Sequence, residues 1–436
     1  WLTQSRVLRD RPTWEREEQN GFENCNRVPA ISLPTVAGSS IDNALDHWTR
    51  DWPIRFVFEP LNPLLRMPNT FLHRLRRTAL HVRAAGANLG WDAQPKTLFL
   101  VTGGGEWVVN EMALGLKPHL APSFGKVVVV GHVMQRPYLS HANIHCLCRP
   151  AFFKGAGIPP IHPSNRLVVS WQHGGKQNRE PEIENACRQL ERHWRKVKRF
   201  IVPNTTTQQH VLECGVDPGI VHVIPNGLDV RLFHPAGSPA ERVAVRTSLG
   251  IPPEAFVVGS FQRDEDDAGR PKLVKGPDIL VEALATANRQ TPMHALLTGP
   301  TRRFVRQRLE ELGVQHTYAP QASLAELSGL YHALDTYCVS SREEGGPAAL
   351  TESMASKVPV VSTRVGLATD LIKHGQNGLV VDVEDTDGLA SALLQLAEDP
   401  ALRQRVAAAA LETGRALAYS VIARRYREEV YSHAFA

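Results

Sequence analysis

The chain has 436 residues, 42% of them apolar and 21% charged, with a formal net charge of +5. That length accommodates two full domains, and the balance is that of a globular protein rather than a disordered or low-complexity one. No run of 18 apolar residues occurs, so no membrane-spanning helix is expected. The mild basicity suits anionic ligands without demanding nucleic acid, for which no basic-aromatic module is present.

Residues 1–50 are polar and weakly periodic, and Arg9-Asp10-Arg11-Pro12 and Val36–Ser40 read as an irregular N-terminal extension. No signal peptide is visible, and a start at Trp1 rather than Met is compatible with a trimmed N-terminus and a lost anchor. Ile54–Phe58 is a short β-type run, and a helix carrying Arg74, Arg76 and Arg77 is expected over Phe71–Ala85. From Thr97–Val101 onward, apolar runs alternate with helical stretches. The loop Gly103-Gly104-Gly105-Glu106 and a helix through Met112–Leu114 come next. Further strands are expected at Val127–Val130, Asn143–Leu147, Leu167–Trp171, Phe200–Val202 and Ile220–Ile224, with a helix over Arg188–Arg199. Ile224-Pro225-Asn226-Gly227-Leu228-Asp229 is a turn-rich linker. A second set follows: strands at Phe256–Phe261, His294–Thr298, Tyr337–Val339, Val358–Ser362 and Leu379–Val381, a helix near Asp278–Ala287, and a last helix over Val421–Tyr431. This alternation predicts an α/β chain with doubly wound parallel sheets.

The six cysteines, Cys25, Cys146, Cys148, Cys187, Cys214 and Cys338, are scattered, which predicts reduced thiols in a reducing compartment and a cytoplasmic location. His145-Cys146-Leu147-Cys148 falls in an expected buried strand, where alternate residues face opposite ways, and no second ligand pair follows at metal spacing. No metal site is therefore expected. The helix expected over 188–199 interleaves Arg188, Arg192, Arg195, Lys196, Lys198 and Arg199 with Leu190, Trp194 and Val197. It reads as a packed helix with a solvated cationic face, or as a peripheral contact with the inner face of an anionic membrane.

Ser341-Arg342-Glu343-Glu344-Gly345-Gly346-Pro347, running on to Glu352, carries the most chemistry. Glu344 sits in a glycine-containing loop and Glu352 on the helix that follows, with Pro347 suited to the first helical turn. The amides of Gly345 and Gly346 at a helix N-terminus favour an anion such as a diphosphate. A fully helical eight-residue step spans roughly 12 Å. One carboxylate could then reach a sugar and the other a ribose. Taken alone, the same residues also fit an ordinary capped helix with surface glutamates.

The stretch resembles the donor-binding signature of retaining family 4 glycosyltransferases, which have the two-domain GT-B fold. There, a Glu, seven residues and a second Glu precede a small residue and a Val-Pro-Val-Val run. Here Ala355-Ser356-Lys357-Val358-Pro359-Val360-Val361 follows, and the match continues through Thr363–Gly366, Asp370–Ile372, Gly375–Val381 and Asp399-Pro400. The usual Glu-Gly-Phe-Gly is here Glu344-Gly345-Gly346-Pro347, without an aromatic and without an amide at Pro347. The resemblance covers about residues 96–432. It implies two Rossmann-like domains facing a central cleft: an acceptor-side domain at 51–232 with a crossover helix at 416–436, and a nucleotide-sugar domain at 233–415.

The resemblance also implies roles. Arg263, after the strand Phe256–Phe261, and Lys275, in Lys275-Gly276, would neutralise the leaving diphosphate. The loop between them, Asp264–Val274, is longer and more acidic than usual. Glu344 with Gly345 and Gly346 would hold the sugar, and Glu352 the ribose. Leu350, on the same helix, goes with the donor-binding set. Gly104 and Gly105 would face phosphates and acceptor. Their loop is also simply a tight strand-to-helix turn, and a dinucleotide fingerprint fits less well because its sixth position is Val108. His173 would bind the donor sugar or orient the acceptor, without serving as the base, and the role of His145 stays open. The turn Gly299-Pro300 would abut the nucleotide, and Ala319 and Pro320 would flank the base. The implied activity is metal-independent transfer of a hexose from a UDP- or GDP-sugar, with no cofactor, to a carbohydrate, lipid-linked or small-molecule hydroxyl. A GT-B sugar phosphorylase or epimerase, and a non-catalytic sugar-nucleotide-binding module, are the alternatives.

Overall fold

The computed structural model describes residues 97–103, 107–131, 141–148, 164–175, 181–266, 269–320 and 323–436, all within one compact unit, His73–Ala436. The expected extension, Ile54–Phe58, the helix Phe71–Ala85, and Gly104 and Gly105 lie outside the described residues.

Among the described residues, two six-stranded sheets form, each parallel throughout. The first comprises β1 (Thr97–Val101), β2 (Lys126–Val130), β3 (Asn143–Cys146), β4 (Arg166–Ser170), β5 (Arg199–Val202) and β6 (Val221–Val223), in the order β2-β1-β3-β4-β5-β6. The second comprises β7 (Phe256–Phe261), β8 (Met293–Thr298), β9 (Gln315–Tyr318), β10 (Thr336–Val339), β11 (Val360–Thr363) and β12 (Leu379–Val381), in the order β12-β11-β10-β7-β8-β9. Parallel strands joined by helical crossovers are covered on both faces, which is why β8, β10 and β11 are buried along their whole length. In each sheet the winding reverses once, between β1 and β3 and between β7 and β10. The crevice at the carboxyl ends of the strands flanking such a reversal is where open α/β sheets bind ligands.

One apolar core runs from the first sheet through the C-terminal helices to Tyr331, Tyr337, Leu350 and Met354 of the second half. A second core, around Val258, Leu284, Leu297 and Leu393, fills the other face of the second sheet. Among the described residues, no helix is long and apolar enough to cross a membrane.

Two expectations are corrected, and one strand was missed. The basic helix expected over 188–199 is a helix at Pro181–His193, a 3-10 turn at Trp194–Lys196 and then β5. The Lys198 amide already donates to Leu167 O (2.8 Å), so sheet pairing draws the chain out of the helix. The apolar residues of this segment, Ile183, Ala186, Cys187 and Leu190, pack into the core, and its cations form a polar outer face on which Arg188 pairs with Glu184 at 2.6 Å. The last helix is α-helical only over Tyr419–Arg425 and continues as a π-helical segment, Tyr426–Tyr431. An i→i+5 repeat brings residues five apart onto one face, and Tyr426 and Tyr431 both lie edge-on to His145. Finally, β9 was not expected from the sequence. It is a polar, partly exposed edge strand, Gln315-His316-Thr317-Tyr318, with no apolar signature.

Candidate active site

The second sheet's reversal assembles the site. After β7 the chain passes Arg263 and returns through a 3-10 turn at Leu273–Lys275. Gly276 then adopts φ 61°. A Cβ there would lie 1.9 Å from Ser340 O, so only glycine lets this turn press against the end of β10. Gln262 Nε2 donates to Lys275 O (3.0 Å) and Ser340 Oγ to Gly276 O (2.8 Å), which fixes the backbone that carries Lys275.

From that position Lys275 Nζ reaches Glu344 Oε1 at 2.6 Å, and Ser341 Oγ donates to the same oxygen at 2.9 Å. The pair is partly buried, with 26% of the lysine and 12% of the glutamate side chain exposed. The residues assigned to phosphate and to sugar are thus brought together. Arg263 is exposed, and its Nε donates to Glu265 O (3.0 Å).

The two acids directly after Arg263, Asp264 and Glu265, are buried. Asp264 and Arg302 are both fully buried, with Arg302 Nε 2.6 Å from the carboxylate. The Arg302 guanidinium also donates to the carbonyls of Gln262 and Thr298, clamping the ends of β7 and β8 together. Burial pushes the Asp264 carboxyl up to about 6 despite this partner. Glu265 accepts from the Phe304 amide. Sequence reasoning missed this pair, although the unusual acidity of the loop was its trace.

The helix after Gly346 spans Ala348–Ala355, and Pro347 stands one residue outside it with ψ 113°. Pro347 O accepts from Leu350 N (3.1 Å), so the proline opens the helix rather than occupying its first turn, and the Glu344–Glu352 step is not fully helical. Leu350 is fully buried in the core. Glu352 is 8% exposed, and its Oε2 accepts from Tyr331 O–H at 2.8 Å. Burial raises its carboxyl from 4.5 to about 7, and the tyrosine offsets only part of that.

That shift has a stability consequence. A carboxyl raised by burial holds its proton more tightly folded than unfolded. The folded state is therefore unpenalised below about 4.5 and carries the full cost of an ionised Glu352 above about 7. At about 1.4 kcal/mol per tenfold change in affinity, the cost approaches ~3 kcal/mol. Glu352→Gln keeps an acceptor for Tyr331 and is expected to raise Tm at pH 8 but not at pH 4.5. Thermal unfolding at both values checks this, and a gain of equal size at both would refute it.

Farther along the sheet edge, Gly299 has φ 104° after β8, and Tyr318 O–H donates to its carbonyl (3.1 Å). Ala319 N donates to Leu297 O (2.9 Å), leaving Pro300 and Pro320 exposed on the rim. The Arg306 guanidinium lies 5.1 Å from the centre of the Tyr318 ring, on the wall of a cavity of about 510 Å³ shared with Thr301 and Arg303.

The first sheet contributes from β4 and β5. Trp171 N donates to Ile201 O (2.8 Å), and Gln172 Nε2 donates to Leu147 O (2.9 Å). Gln172 Oε1 accepts from Asn226 of the linker at 2.9 Å. His173, exposed, follows. A Cβ built on Gly345 would lie 2.0 Å from Gln172 O and 2.7 Å from His173 Cβ, so the donor-motif loop and the end of β4 are in contact. Gly346 faces Asn226 and Pro203 at looser distances. His145 has a different place: fully buried, with Nδ1 2.6 Å from Tyr431 O–H and Nε2 2.8 Å from Ser170 Oγ. Burial lowers it to about 3, so it is a neutral tie between the first sheet and the C-terminal segment.

Residues 268–413 match the family model described as Glycosyl transferases group 1. The chain is 28% identical to the D-inositol 3-phosphate glycosyltransferase of Nocardioides sp., over 68% of this chain and 66% of that one. It is 31% identical to the protein of the same name from Stackebrandtia nassauensis, over 49% of each. The chain thus spans about half to two thirds of the length of these curated relatives. Among solved structures, Anabaena HepE in complex with UDP superposes with a TM-score of 0.61 at 20% identity, over 77% of this chain and 100% of that one. Sucrose-phosphate synthase from Thermosynechococcus elongatus gives 0.60 at 18% identity, over 77% and 98%. The two parallel six-stranded sheets with flanking helices are a GT-B fold.

Proposed function

We propose that the protein is a retaining glycosyltransferase of group 1 that moves a hexose from a UDP- or GDP-sugar to an acceptor hydroxyl. The observation that carries this reading is the Lys275–Glu344 pair at 2.6 Å in the crevice where the second sheet reverses. A cation for a diphosphate and a carboxylate for sugar hydroxyls stand side by side where an α/β sheet takes its ligand.

In this reading the diphosphate lies over Lys275 and Arg263, which offset the charge that develops as the glycosidic bond breaks. Glu344, with the backbone of Gly345 and Gly346, holds the hexose. Glu352 accepts from the ribose hydroxyls. The base lies along Gly299-Pro300 and Tyr318-Ala319-Pro320. His173 sits beside the sugar on the opposite wall and orients it or the acceptor. The acceptor oxygen bonds to the anomeric carbon as the phosphate oxygen leaves from the same face. The acceptor's proton passes to that phosphate oxygen, so configuration is retained and no protein base or metal is needed. Relatives named for D-inositol 3-phosphate favour a polyol-like acceptor, and the UDP complex of HepE favours a uridine donor. The burial of Cys146, Cys148, Cys187, Cys214 and Cys338 favours a reducing compartment.

The test is a thermal-shift screen of UDP, GDP, ADP and their sugars in EDTA, followed by transfer assays with polyol acceptors and NMR of the product anomer. A ligand at a hundred times its Kd stabilises by about 2.7 kcal/mol. One nucleotide series is expected to raise Tm without metal, and Glu352→Ala to weaken the effect. No shift with any nucleotide would overturn the reading.

A further inference from the structure

We infer that Asn204 is a positioning residue that ties the shape of the donor-motif loop to the docking of the two sheets. The inference rests on the proposed transfer reaction, although its first test does not need it. Asn204 follows β5, is fully buried, and uses both ends of its amide. Its Oδ1 accepts from Thr207 N (2.8 Å), capping the helix Thr205–Glu213. Its Nδ2 crosses to the other half of the molecule and donates to the Gly345 carbonyl, one residue from Glu344.

That carbonyl has a second donor, Leu367 N at 3.0 Å. The approach depends on Gly366, at φ 45°, where a Cβ would strike the carbonyls of Glu344 and Gly345 at 2.4 Å. A second tie lies beside the first: Thr205 N and Oγ1 donate to the two carboxylate oxygens of Asp370 at 2.7 and 2.5 Å. The first turn of a helix built on one sheet is therefore bonded to the loop and helix that follow β10 and β11 of the other. Gly345 accordingly has one geometry when the sheets are docked, with Glu344 set against Lys275. Undocking removes one of the two donors that define it. The loop that would hold the sugar is completed by the acceptor-side half, and a buried amide does this without touching substrate.

Asn204→Asp separates the two uses of the side chain. Aspartate caps a helix as well as asparagine, so the amides of 207–213 stay protected, but the donor to Gly345 is lost and a carboxylate faces a carbonyl. Hydrogen exchange on the ligand-free protein is expected to rise at least tenfold for residues 344–346 and for Leu367, and not for 207–213. Unchanged exchange at those positions would overturn the proposal. With donor and acceptor, kcat is expected to fall 10- to 100-fold while the Kd for UDP stays within threefold. A loss of turnover matched by an equal loss of UDP affinity would also overturn it, because a general structural defect behaves that way. If no nucleotide binds the wild type, the transfer reading fails, and the exchange arm still decides the tie.

Discussion

Gly345→Ala is expected to lower kcat/KM at least a hundredfold while leaving the far-UV spectrum and UDP binding close to wild type. The added methyl would lie 2.0 Å from Gln172 O and 2.7 Å from His173 Cβ. Neither neighbour is free to retreat. Gln172 is held through its side chain by Leu147 O and Asn226, and the preceding Trp171 is bonded to β5 through its backbone. The motif loop must give way instead, moving by the ångström or more that restores van der Waals contact. It then carries Glu344 away from the geometry set by Lys275 and strains the Asn204 contact. A displacement of about 1 Å costs on the order of 10²-fold in rate when reacting groups are held in place by the protein. Steady-state kinetics alongside calorimetry with UDP would check this. Turnover near the wild-type value would mean that the loop works farther from β4 than the docked arrangement places it.

Legibility in the sequence followed local chemistry. Thr97–Val101, Phe256–Phe261 and Tyr337–Val339 read as strands because parallel strands covered on both faces are near-continuous apolar runs. The two-glutamate motif was legible because its members are close in the chain. Features made by distant partners were not. Asn204 and Gly345 are 141 residues apart, and nothing around Asn204 marks it as more than a helix cap. Asp264 and Glu265 stood out only as an unusually acidic stretch, because their partners, Arg302 and the Phe304 amide, arrive from the next crossover. The helical span over 188–199 failed for the same reason: local propensity favoured helix, and pairing with β4 overrode it from Lys198 onward. The π-helical segment escaped because tyrosines five apart have no helical signature until His145 stands between them.

Lys275→Ala is expected to reduce kcat by about 10³, in the range seen when a fixed group facing a developing anion is removed. Glu344→Gln is expected to cost 10²- to 10³-fold in kcat with UDP affinity within threefold, since the glutamine still accepts from Ser341 but carries no charge. The two should differ in binding: removing the lysine weakens UDP itself, whereas removing the carboxylate weakens only the advantage of the UDP-sugar over UDP. They should also be non-additive. With Nζ and Oε1 2.6 Å apart, each positions the other, so the double variant should be little worse than Lys275→Ala alone. A structural ion pair predicts something else. Each single variant would then leave a partly buried charge without its partner and lower Tm, the double variant would recover it, and turnover would follow stability rather than charge. Measuring kcat, UDP affinity and Tm for the three variants distinguishes the two cases, because only a pair that works on substrate separates the sugar from the nucleotide.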